Sequence, residues 1–224
     1  MSRPYWIAFG DIHGNCGRIA SIPGLKEAAG VIVTGDMTSG GGVGKAAHVL
    51  SCITAVNAAL MAQVGNADRP EVTGMLEEKG WNIHARSREI WPGVVLMGLG
   101  GSPPTPFGTP GEYPEARLAG WLETTWRNLP PHKQLIVVSH APPYNTACDM
   151  LRDGITHAGS KALRAFLDKA QPALCLCGHI HEARATDRLG DALVLNPGAF
   201  VSGGYMFITL ESGCVRAEIR RLPE

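Results

Sequence analysis

The chain has 224 residues, enough for one domain with a sizeable core, and its 45% hydrophobic and 18% charged residues exclude a disordered polymer. Its 20 basic and 20 acidic residues cancel, which argues against a general nucleic-acid or anionic-membrane binder, because such proteins carry a basic excess. No run is long enough to span a bilayer, no secretory leader precedes the first strand, and six cysteines in this length do not make a disulfide scaffold; the expectation is a cytoplasmic protein with reduced thiols.

The first apolar run, Tyr5-Trp6-Ile7-Ala8-Phe9, has strand length and leads into Gly10-Asp11-Ile12-His13-Gly14. If the strand geometry continues, Asp11 and His13 point to one side and can grip one ion together. Residues 17–29 read as a helix weakened by Pro23 and Gly24. Val31-Ile32-Val33-Thr34 is a β-branched run suited to a strand buried on both faces, and it ends at Gly35-Asp36. A glycine-rich loop over residues 39–44 then leads to a helix over about residues 45–61. Gly44-Lys45 resembles the end of a phosphate-binding loop, but Ser39 and Ala46 stand where that pattern needs Gly and Ser or Thr, so it is rejected. Residues 62–64 form a short strand ending at Gly65-Asn66-Ala67-Asp68, and residues 70–79 a short helix with Pro70 in its first turn.

Residues 83–90 and 94–99 read as a hairpin around Pro92-Gly93. Gly98-Leu99-Gly100 fails as a dinucleotide fingerprint, since Pro103 replaces its third glycine. Residues 100–114 hold five prolines and four glycines, a loop after a strand that is expected to border the site and help select the substrate. Residues 115–129 form a helix with Leu118, Trp121, Leu122 and Trp126 on one face. The strand Leu135-Ile136-Val137-Val138 delivers Ser139-His140. A polar loop to residue 159 and a helix over residues 160–170 precede a strand over residues 173–177, which ends at Gly178-His179-Ile180-His181. Cys175 and Cys177 share a face of that strand and read as core. A hairpin over residues 184–195 turns at Gly190-Asp191, and closing strands over residues 205–210 and 215–222 turn at Ser212-Gly213. His48 and His84 read as surface or core residues without a role, and His132 as solvated. His157 lies in the loop after His140 and can reach the site.

Helices alternate with strands early and hairpins dominate late, which indicates a mixed sheet or two stacked sheets covered by helices. Metal-ligand residue types recur at or near the ends of five apolar runs, where ligands gather in such folds. In order, D-x-H, G-D, G-N-x-D, S-H and G-H-x-H resemble the motifs of the calcineurin-like metallophosphoesterases, over nearly the whole chain. The resemblance implies a four-layer α/β/β/α sandwich of two mixed sheets flanked by helices, with two metals at the strand ends. Carried over by position, it implies that Asp11, His13, Asp36 and His181 hold one ion and that Asp36, Asn66, His140 and His179 hold the other, with Asp36 bridging. This nitrogen and oxygen set suits Mn, Fe, Ni, Co or Zn better than Ca or Mg, with Mn the expectation in vitro. Two divalent ions, two carboxylates and a bridging hydroxide sum to about +1, which attracts an anionic ester.

Many family members carry histidine after the asparagine, as a leaving-group acid, but here that residue is Ala67. Asp68, which would orient such a histidine, is left to cap the next helix. The resulting expectation is a hydrolase of phosphate esters, diesters rather than phosphoprotein, in which Asp36, Asn66 and His157 serve catalysis. A homodimer is compatible with it. The alternative is a protein-binding scaffold on the same fold with little or no catalysis, as in the retromer-type branch of the family.

Overall fold

The structure is a computed structural model that describes residues 4–222. Among the described residues eleven strands form two mixed sheets. The first has the order β11 (Cys214–Arg221), β10 (Gly204–Glu211), β1 (Tyr5–Phe9), β2 (Gly30–Val33), β3 (Leu60–Ala62). The second has the order β4 (Ser87–Trp91), β5 (Val94–Leu99), β6 (Gln134–Ser139), β7 (Leu174–Leu176), β9 (Ala192–Asn196), β8 (Ala185–Leu189). β1, β2 and β3 run parallel, as do β5, β6, β7 and β9, and the antiparallel strands are confined to the flanks.

Strand alternation explains the layering. Along β1, Ile7 and Phe9 face outward onto a core with Val49, Leu50 and Ile53 of α1 (Val43–Thr54) and Val72 and Leu76 of α2 (Glu71–Glu78). Trp6 and Ala8 face inward and meet Leu96, Ile136, Val138 and Leu174 of the second sheet. The other side of that sheet, with Met97, Val137 and Cys175, packs on Leu118 and Leu122 of α3 (Glu115–Arg127) and Leu163, Phe166 and Leu167 of α4 (Lys161–Ala170). These three apolar layers make the α/β/β/α sandwich. The parallel strands, buried on both faces, read as unbroken apolar runs for the same reason.

Three expectations need correction. Residues 17–29 do not form an α-helix: a 3-10 helix spans Cys16–Ser21, and Pro23 and Gly24 end any continuation. The helix expected to reach residue 61 stops at Thr54, and Leu60–Ala62 is strand β3, so that strand starts earlier than its sequence suggested. Asp68 does not cap α2, whose N-cap is Pro70 without a side-chain bond.

Candidate metal centre

The parallel strands deliver their C-terminal ends to one cleft between the sheets. Asp11 and His13 follow β1, Asp36 follows β2, Asn66 follows β3, His140 follows β6, and His179 and His181 follow β7. The segments after β1 and β2 remain zipped, with Asp11 N donating to Gly35 O at 3.0 Å and Ile12 N to Asp36 O at 2.9 Å. His140 N donates to Leu99 O at 2.9 Å, and Gly178 N to His140 O at 3.0 Å.

Strand alternation is not what brings Asp11 and His13 together. β1 ends at Phe9, and Asp11 (φ 52°), His13 (φ 48°), Asp36 (φ 51°) and His179 (φ 68°) all adopt the left-handed region. Non-glycine residues rarely do so, and each such conformation costs on the order of 1–3 kcal/mol. Four of them among the seven residues is strain concentrated where side chains must be aimed. Glycines next to them make the close approach possible. A Cβ on Gly35 (φ 130°) would lie 2.5 Å from His140 Nδ1, and one on Gly65 would collide with the Asp36 carboxylate.

The seven side chains form two adjoining sets. Asp11, His13, Asp36 and His181 each place a ligand atom within 4.8 Å of all the others. Within this set His13 Nε2 and His181 Nε2 are 3.1 Å apart, His181 Nε2 is 3.3 Å from Asp11 Oδ1, and His13 Nε2 is 3.7 Å from Asp36 Oδ2. On the other side of Asp36, His140 Nε2 lies 3.5 Å from Oδ2 and 2.8 Å from Asn66 Oδ1. The His179 ring sits beside that of His140, centroids 5.1 Å apart. Asp36 is thus the carboxylate that faces both sets, while its Oδ1 accepts from Ala67 N at 2.7 Å.

Electrostatics couple these groups to one another. Burial alone would raise the Asp36 carboxyl, but His140, His13 and the Ala67 N–H hold it down at about 2. Burial likewise opposes charge on His140, yet Asp36 beside it pulls that imidazole up to about 9. Burial, reinforced by His140, pushes His179 down to about 4 and keeps it neutral. The Asp11 hydrogen bond raises His181. Two anionic carboxylates, an amide oxygen and imidazoles, with no thiolate among them, fit divalent transition metals.

Several residues whose part in the site the sequence did not declare hold this arrangement. Asp68, fully buried, accepts from Met37 N, Thr38 N, Thr38 Oγ1 and Gly65 N at 2.9–3.1 Å, so it ties the Asp36 turn to the Asn66 turn. Gln63 Nε2 reaches Thr34 O, Leu99 O and Val138 O at 3.1–3.2 Å and joins both sheets beneath the site. Asn196 Nδ2 donates to Gly178 O and Ile180 O at 3.2 and 3.0 Å and fixes the His179 turn. Ser39 Oγ lies 3.0 Å from His13 Nδ1. An amide in an apolar strand was the one visible hint, at Gln63.

The loop over residues 100–114 borders the cleft. Pro104, Thr105, Pro106, Phe107 and Thr109 line it together with His13, Asp36, Asn66, His179 and His181. Glu112 closes the loop on itself, accepting from the backbone and hydroxyl groups of Thr105 and Thr109, and Thr109 Oγ1 accepts from Asn66 Nδ2 at 2.8 Å. His157 stands apart from the ligand sets: its Nδ1 is 2.7 Å from the buried Asp149 Oδ1, while its neighbour Ala158 lines the cleft. His84 is held neutral by burial, down at about 4, and accepts from Gly100 N; His132 is exposed. Cys175 and Cys177 are fully buried core.

Nitrogen and oxygen donors at the C-terminal ends of parallel strands, gathered between two helix-covered sheets, define a metal-binding α/β sandwich protein. The chain belongs to the metallophosphoesterases of the calcineurin superfamily, whose sequence profile matches residues 82–219. It is 35% identical over 193 residues, 84% of each chain, to an uncharacterized protein of Methanocaldococcus jannaschii. Among solved structures it resembles a protein of Thermus thermophilus, with TM-score 0.75, 17% identity, and coverage of 99% of this chain and 100% of the other. It also resembles a dimetal phosphatase from Danio rerio, with TM-score 0.64, 14% identity, and coverage of 100% and 98%. Family membership makes the chain a metal-dependent phosphoester hydrolase by class, with divalent metals as cofactors. Among the described residues no helix is long and apolar enough to cross a membrane.

Proposed function

We propose that this protein hydrolyses phosphodiesters with two divalent transition-metal ions, one held by Asp11, His13, Asp36 and His181 and the other by Asp36, Asn66, His140 and His179. The observation that carries this reading is the position of the ionised Asp36 carboxylate between the two ligand sets. Metals bound there would supply Lewis-acid stabilisation of the phosphoryl oxygens and activation of water. The chain's own residues do the rest. His179, held neutral, keeps a lone pair available, and Thr109 orients the Asn66 amide.

The cleft favours a singly charged ester with an organic substituent. It has a volume of about 590 Å³ and is walled by Pro104, Pro106, Phe107, Leu151 and Ile180. Its lining includes Glu182 but neither Lys nor Arg among the described residues, so nothing beyond the metals would compensate the second charge of a monoester. Ala67 offers a methyl group where an acid would stand, and its N–H is engaged by Asp36. The residue proposed to supply the proton is His157. Asp149 accepts from its Nδ1, which leaves Nε2 free, and Nε2 would donate when both ring nitrogens carry protons.

The test is turnover of an aryl phosphodiester and the matching monoester by the Mn²⁺-loaded protein. The reading expects the diester to be preferred, and a monoester preference would overturn it. The scaffold reading draws on Phe107 and Ile155, which are 84% and 81% exposed. Metal binding without turnover of any ester would favour it.

A further inference from the structure

A second cluster of ligands lies outside the candidate metal centre and has a different chemistry. Cys16 Sγ, Cys52 Sγ and a His48 ring nitrogen all lie within 4.8 Å of one another. His48 and Cys52 are four residues apart on α1, so they share one helical face. Cys16 opens the 3-10 helix Cys16–Ser21, which packs against α1. Two separate segments therefore converge their soft donors on one point. The cysteines are half-buried and His48 is exposed, beside a cleft that runs from His13, Gly14 and Ser39 to Lys45 and His48.

We propose that Cys16, His48 and Cys52 bind one soft divalent cation of the zinc class, with water completing a tetrahedron. Metal–sulfur and metal–nitrogen bonds of about 2.3 and 2.0 Å imply ligand atoms roughly 3.3–3.8 Å apart, within reach of a small rotation of the exposed His48. Without a cation the Cys16 thiol stays protonated, because burial and its bond to Cys52 hold it up at about 11. Uptake breaks two S–H bonds, releases two protons to solvent and forms two metal–sulfur bonds, so a doubly charged ion leaves a neutral site. Thiolate ligands separate this site from the nitrogen and oxygen centre, which the softer metals favour less. Cys16 stands three residues after His13, and its N–H donates to Gly14 O at 3.0 Å. A cation here would tie the turn carrying His13 to α1. The proposal is independent of the phosphodiester reading.

Cadmium is the probe, because only thiolates give a sulfur-to-cadmium charge-transfer band in the near ultraviolet. Titration of the full-length protein, kept reduced, should give a band that saturates at about one equivalent and is displaced by Zn²⁺. The band should vanish in the Cys16→Ser/Cys52→Ser double variant and persist in Cys214→Ser and in Asp36→Asn. His48→Ala should weaken the affinity by roughly 10–100-fold, at least what loss of an outer-shell partner costs. Should the double variant fail to fold, thiol labelling of the wild type decides: Zn²⁺ should protect Cys16 and Cys52 and leave the exposed Cys214 reactive. No band, a band that survives in the folded double variant, equal labelling with and without Zn²⁺, or a Cys16–Cys52 disulfide in protein purified with zinc would overturn the proposal.

Discussion

Asp68 is read from sequence as a helix cap and turns out to be a buried acceptor for four donors of two neighbouring turns. No local pattern could show this, because its partners Met37 and Thr38 lie about thirty residues away in the chain. Asp68→Ala would leave those buried donors unpaired, and we expect a loss of about 3 kcal/mol in urea unfolding. A loss below about 1 kcal/mol would show that the two turns hold without it. Ala67, by contrast, speaks through its own identity. A positioned acid contributes roughly 10²–10⁴-fold in rate, so its absence from that position should make hydrolysis depend steeply on leaving-group pKa. A series of substituted phenyl phosphodiesters should show that slope, and Ala67→His should flatten it. If the wild type were already flat and His157→Ala made it steep, the proton would come from His157.

Most of the strand-end elements that carry the ligands were legible, because buried parallel strands read as apolar runs followed by Asp, Asn or His, although β3 begins two residues before its expected start. The aim of those ligands was not. Asp11 and His13 converge through left-handed backbone, not through strand alternation, and a short polar turn does not declare its φ angles. That the loop over residues 100–114 borders the cleft was legible from its prolines and glycines, but not the device that shapes it. Glu112 supplies that device. Four hydrogen bonds from Thr105 and Thr109 hold its carboxyl down at about 2, against the effect of burial. The folded pKa lies below the ordinary value of 4.5, so this anchoring is fully present above pH 4.5 and is lost as pH falls toward 2. The loop should therefore resist proteolysis between pH 5 and 8 in the wild type, roughly the range where carboxylate-linked stability is greatest. Glu112→Gln should be cut faster across that range and should change relative rates among esters. Unchanged cleavage and unchanged rate ratios would mean the loop is held by other contacts.

Across the molecule, each sheet contributes ligands to one cleft, and the inter-sheet core with Trp6, Ile136 and Leu174 sets the spacing between them. The layers follow from alternation within each strand, but the order of helices and hairpins alone left a mixed sheet or two stacked sheets open, and the four layers were legible only through the family resemblance. The bond of Gln63 to carbonyls of both sheets was not, since an isolated glutamine names no partner. Metals held by both sheets would stabilise the whole sandwich by about 2.7 kcal/mol at a metal concentration a hundred times the dissociation constant. Chelation should accordingly lower the melting temperature, and an unchanged melting temperature would place metal binding outside the folding balance. The most direct test of the central claim is elemental analysis of wild type and Asp36→Asn, both carrying Cys16→Ser/Cys52→Ser so that only the cleft is counted. We predict about two divalent transition metals per wild-type chain, and reduced occupancy at both positions once the carboxylate between the two ligand sets is neutralised. Full occupancy in Asp36→Asn, or loss of a single ion with the other retained undiminished, would contradict the account.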